Sequence, residues 1–156
     1  MKANEIAIFA GAVGLSLILG ALFFQYVLNY PPCEMCHWQR WPHIAAAIVG
    51  LGGGLLLRLK IINLPIALPL AILSLLLVAT SGALGVFHAG VEWHWWPGPA
   101  ACTTGYVFTG VIDLNAPVPH CDIAAWRLFG ISMAGYNAVI SLGAAALGTF
   151  LLVRKS

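Results

Sequence analysis

The chemistry available to this sequence lies in four cysteines: Cys33 and Cys36 in a Cys-x-x-Cys pair, and Cys102 and Cys121 in a more distant second pair. Each pair sits in a polar stretch at the end of a long apolar run. Thiols so placed suit disulfide exchange, in which a thiolate attacks a disulfide sulfur and the thiol of lower pKa leaves faster. The first pair lies in Pro31-Pro32-Cys33-Glu34-Met35-Cys36-His37-Trp38-Gln39-Arg40-Trp41-Pro42. Cys36 stands near the start of the following apolar run, where unpaired helix N–H groups favour an anion, and Arg40 follows within side-chain reach if the stretch is helical. Both features lower a thiol pKa, so Cys36 is expected to carry more thiolate than Cys33. Pro42 leaves two geometries open: a helix that already runs at Cys36 and is kinked, or one that begins near Pro42 with Arg40 reaching back from a turn.

Other uses of the same residues compete. Cys33-Glu34-Met35-Cys36-His37 matches the Cys-x-x-Cys-His string of covalent haem attachment, with His37 as axial ligand and Met133 as a possible second. That use leaves Cys102, Cys121 and Arg40 without work, and a short turn between two spans offers a haem little room. A structural zinc site from the four cysteines, with His37 or His120 substituting, needs two tight ligand pairs, and Cys102 and Cys121 are far apart in sequence. Two inert structural disulfides are the plainest alternative. A bridge across Cys102 and Cys121 would be worth about 3 kcal/mol of loop closure, but a Cys-x-x-Cys bridge closes almost nothing, and such pairs are usually reactive.

The elements that position these cysteines follow from composition. Hydrophobic residues make up 61% and charged residues 8% of the 156 residues, against a usual soluble balance of roughly 45–50% and about 25%. The chain is expected to be an integral membrane protein forming a single domain over residues 1–156. The net charge of +2 comes without a Lys/Arg run, which leaves nucleic acid no footprint and lipid as the bulk partner. Charged residues divide the sequence into four apolar spans, at about 6–28, 41–57, 65–88 and 128–153, each long enough for a hydrocarbon core of ~30 Å. The first span is too long for a signal-peptide core and lacks an Ala-x-Ala exit, so it is expected to stay as a helix. The fold class is therefore all-α, a four-transmembrane-helix bundle.

Lys2, Arg58, Lys60, Arg154 and Lys155 fall at the N-terminus, between spans two and three, and at the C-terminus. The positive-inside rule places these regions in the cytoplasm and the cysteine loops, about 29–40 and 89–127, outside. Trp38, Trp41, Trp93, Trp95 and Trp96 read as an interfacial aromatic belt. In the second outer loop Tyr106, Val107, Phe108, Val111 and Ile112 are apolar enough for a short segment lying on the lipid surface.

Pro32 to Pro42, then Gly85-Val86-Phe87-His88-Ala89-Gly90-Val91-Glu92, Pro97-Gly98-Pro99 before Cys102, His120-Cys121-Asp122, and Trp126 to Gly135 together resemble the disulfide bond formation protein B (DsbB) family over nearly the whole chain. The resemblance implies a quinone-dependent dithiol oxidase of the bacterial inner membrane. It would reoxidise a periplasmic DsbA-like, thioredoxin-fold thiol oxidase and pass the electrons to ubiquinone or menaquinone. By the same resemblance the catalytic disulfides are Cys33–Cys36 and Cys102–Cys121. The partner would attack Cys102, freed Cys121 would attack Cys33, and Cys36 would be released as a thiolate beside the quinone. Arg40 would stabilise that thiolate and polarise the quinone oxygen, His88 and Met133 would be further pocket contacts, and no metal is implied. Trp126 and Arg127 are expected to anchor the loop.

Overall fold

The computed structural model describes residues 2–103 and 120–154. Helix α1 (Ala3–Tyr26) is followed by α2 (Glu34–Ala47), which passes through a π-helical stretch (Ile48–Gly53) into α3 (Gly54–Arg58). A 3₁₀ turn (Leu64–Ile66) enters α4 (Ala67–Glu92), the short α5 (Ala100–Thr103) carries Cys102, and α6 (Met133–Val153) closes the chain. Between α5 and α6 lies a two-stranded antiparallel hairpin, β1 (Arg127–Leu128) and β2 (Ile131–Ser132). Among the described residues, four helical segments are long and apolar enough to cross a membrane: Ala3–Tyr26, Glu34–Arg58, Leu64–Glu92 and Met133–Val153, with mean hydropathies of 2.4, 1.2, 2.3 and 1.7. The protein is thus an all-α, four-span membrane protein. The interfacial segment expected at Tyr106 to Ile112 lies outside the described residues.

Large apolar side chains such as Leu19, Phe23, Ile48, Leu76, Val139 and Phe150 point outward, while the buried seam is built from Ile6, Ala7, Ala10, Ala46, Ala71, Leu75 and Val78. Lipid tails are as apolar as leucine, so helices here gain by close packing of small residues rather than by leaving water. The tightest approach is between α1 and the π-helical stretch. A side chain at Gly50 would run into the Ala7 carbonyl and the Gly11 backbone. Gly50→Val is therefore expected to destabilise the bundle by about 1–3 kcal/mol, measured as a lower unfolding midpoint in detergent.

Of the two geometries the sequence leaves open around Pro42, the structure has the first: α2 already runs at Cys36, and Pro42 lies inside it. Cys33 is the N-cap residue, its sulfur accepting the Cys36 backbone N–H at 3.2 Å. At the other end of the site, residues 127–132 form the hairpin rather than the first turn of the fourth span. Phe129 and Gly130 both take positive φ, 50° and 81°, as a two-residue hairpin turn requires. The hairpin delivers Ser132 as the N-cap of α6, where it accepts from Gly135 N–H at 3.1 Å.

The segment after α4 folds back on it. Trp96 stacks on Phe87, donates its indole N–H to the Phe87 carbonyl at 2.8 Å, and fills the space left by Gly90. This turn carries the chain toward Cys102. Lys2, Arg58, Lys60 and Arg154 lie at helix ends opposite the cysteines.

Candidate functional site

The four cysteines meet at one end of the bundle. Cys33, Cys102 and Cys121 are buried together with Met35 and Val91, and Cys36 packs against them. Cys102 and Cys121 are joined as a disulfide, whereas Cys33 and Cys36 are free thiols. The Cys33 sulfur, the Cys121 sulfur and His88 Nε2 all lie within 4.8 Å of one another. The two couples are thus in near contact, and Cys121 has little distance to travel to reach Cys33.

Local structure makes the two free thiols unequal. The hydrogen bond between the two side chains, and then burial, push the Cys33 thiol well above the usual range, so Cys33 keeps its proton and Cys36 receives the hydrogen bond. Cys36 lies in the first turn of α2, where the helix N-terminus presents positive potential, and the Arg40 guanidinium adds to it.

Beside this couple is a cavity of about 330 Å³ walled by all four spans. Cys33, Cys36 and Arg40 line it from α2 and its cap, His88 and Glu92 from α4, Met133 and Asn137 from α6, and Ala21 and Phe24 from α1. Every residue singled out in the sequence for quinone contact, Arg40, His88 and Met133, faces this one space. Trp126 packs on Phe24 with ring centroids 5.0 Å apart and also lines it. Arg40 is held across the bundle by a 2.6 Å hydrogen bond from Nη1 to Gln25 Oε1. Its Nε is buried without a hydrogen-bond partner among the described residues. An unmet buried donor costs about 1–3 kcal/mol, so the cavity suits an apolar ligand that carries an acceptor oxygen.

Sequence reasoning missed a set of polar groups inside the spans. His43 is buried in the bundle, bonded through Nε2 to Asn137 Oδ1 at 2.8 Å. Gln39, Ser81, Asn137 and Ser141 join it. The signal was available: polar side chains within otherwise apolar spans are costly and mark function.

A four-span bundle that sets a thiol pair against a disulfide at one end defines a membrane protein equipped for thiol–disulfide exchange. Comparison with known proteins agrees. The family model described as "Disulfide bond formation protein DsbB" matches residues 3–151. Disulfide bond formation protein B of Vibrio vulnificus is 29% identical, over 86% of this chain and 80% of its own length. That of Dechloromonas aromatica is 26% identical, over 90% and 87%. No solved structure matches. The chain belongs to the DsbB family, and with it to the membrane oxidoreductases of disulfide bond formation.

Proposed function

We propose that this protein oxidises a periplasmic, DsbA-like thioredoxin-fold dithiol protein and delivers the electrons to ubiquinone or menaquinone in the bacterial inner membrane. The single observation that carries the reading is the cluster in which the Cys33 and Cys121 sulfurs stand within 4.8 Å beside a four-walled cavity. The positive residues at the far end of the bundle support cytoplasmic termini and outward cysteines.

In this scheme the partner's thiolate attacks Cys102 of the Cys102–Cys121 bridge and forms a mixed disulfide, releasing Cys121 as a thiolate. Cys121 attacks Cys33 of a Cys33–Cys36 disulfide, and Cys36 leaves with the electron pair. The partner's second thiol then resolves the mixed disulfide and frees Cys102. Arg40 offers Nε toward an acceptor in the cavity and holds positive charge near the Cys36 sulfur. His88 and Met133 shape the wall. A quinone bound in the cavity would supply the two-electron acceptor. Cys102 is itself buried, 3% exposed, so the partner must uncover it as it docks.

Haem attachment gains no support, since His37 is exposed and does not line the cavity. The test is purified protein with reduced partner and ubiquinone, followed by quinone absorbance; oxidation of the partner without loss of that absorbance would refute the electron route. Cys121→Ser is expected to trap a mixed disulfide with the partner through Cys102, and a peptide map placing the adduct on Cys33 would reverse the order of steps.

A further inference from the structure

Six side chains from α2, α4 and α6 form one hydrogen-bonded chain that ends at the Cys33 sulfur, and its direction can be read. Asn137 Nδ2 donates to the Ser81 backbone carbonyl at 3.1 Å. A carbonyl only accepts, so the amide nitrogen of Asn137 must face it, and Asn137 Oδ1 faces His43 Nε2 and Ser141 Oγ, each at 2.8 Å. The same Nδ2 donates to Gln39 Oε1 at 2.7 Å. Gln39 Nε2 in turn donates to the Met35 carbonyl at 3.1 Å, a second and independent fix on that amide's orientation. Its remaining hydrogen points at His88 Nδ1, 2.8 Å away. His88 Nδ1 is therefore an acceptor, and the ring proton sits on Nε2.

That nitrogen faces acceptors: the Cys33 sulfur at 3.6 Å and Glu92 Oε1 at 3.8 Å. The first is within range for a bond to sulfur, and the second is long for one to oxygen. Cys33, Cys121 and His88 also have the look of a metal-ligand trio, but a protonated Nε2 donates and does not ligate.

We propose that Gln39 and Asn137 are positioning residues that hold His88 as the Nε2–H tautomer, so that His88 gives a hydrogen bond to the Cys33 sulfur when that sulfur leaves a Cys33–Cys121 bridge. The step rests on the proposed function: freed Cys102 thiolate attacks Cys121, the Cys33–Cys121 bond breaks, and Cys33 departs as a thiolate with no net oxidation or reduction. Because the Cys36 side-chain contact and burial make an anion at Cys33 costly, the His88 N–H and the Cys36 backbone N–H are the donors that offset it.

Two measurements on the full chain, neither needing partner or quinone, test this separately from the proposed function. Nitrogen-15 spectra of histidine-labelled protein, with His88 assigned through His88→Asn, are expected to show the proton on Nε2; a proton on Nδ1, or on both nitrogens at neutral pH, overturns the proposal. In a Cys36→Ser background holding one disulfide, Gln39→Glu puts an acceptor against Nδ1. It is expected to reverse the tautomer and raise the ratio of Cys33–Cys121 to Cys102–Cys121 bridges about tenfold, read by acid quench and peptide mapping. An unchanged tautomer or an unchanged ratio contradicts it. So does an equal shift when His88→Asn is also present, because charge alone would then be the agent.

Discussion

Cys36→Ser is expected to lower quinone-linked turnover on the order of 10⁴-fold, as loss of a reacting nucleophile does, while the protein still oxidises one equivalent of partner. The reason is the division of labour between the couples. The Cys102–Cys121 bridge is preformed and can exchange once by itself. In the proposed scheme recharging it requires electrons to leave through Cys36, the sulfur in the first turn of α2 that lines the cavity. Serine keeps the Cys36 backbone N–H that caps onto Cys33, so the local fold should survive. Single-turnover quench measures the first equivalent, and continuous quinone absorbance measures the rest. Loss of both phases together would mean that Cys36 is needed for folding or for partner exchange, and the two-couple scheme would fail.

Arg40→Ala is expected to slow quinone reduction about 10²–10³-fold and to slow exchange with the partner far less. Its guanidinium is tied to Gln25, its Nε is buried and unmet among the described residues, and its charge reaches Cys36, whereas Cys102 and Cys121 are not among the residues lining the cavity. Arg40→Lys keeps the charge and loses the planar set of donors, so partial recovery is expected. Equal losses in both half-reactions would remove the quinone-side role from Arg40.

The parts of this molecule that were legible in the sequence are those encoded locally. Uncharged runs gave the four spans, because charge is excluded from hydrocarbon over a fixed length. The spacing of Cys33, Cys36 and Arg40 along one stretch placed them together, and His88 and Met133, taken from the family resemblance, line the same cavity. Other features depend on partners distant in sequence. Nothing local says that α2 begins at Glu34 with Cys33 as its cap, since Pro42 fits either start. The hairpin at 127–132 rests on positive φ at Phe129, a residue with no turn preference. Nothing in the sequence links Gln39, His43, Ser81 and Asn137, and only helix packing joins them into a chain.

The central claim is that electrons pass from the second couple to the first, and the disulfide from the first to the second, across the gap between Cys121 and Cys33. Oxidised Cys102→Ser protein tests it most directly, because Cys121 is then a free thiol facing a Cys33–Cys36 disulfide. Rapid alkylation followed by peptide mapping is expected to find a Cys33–Cys121 bridge with Cys36 alkylated. Recovery of alkylated Cys121 with Cys33 still joined to Cys36, or of Cys121 joined to Cys36, would contradict the account.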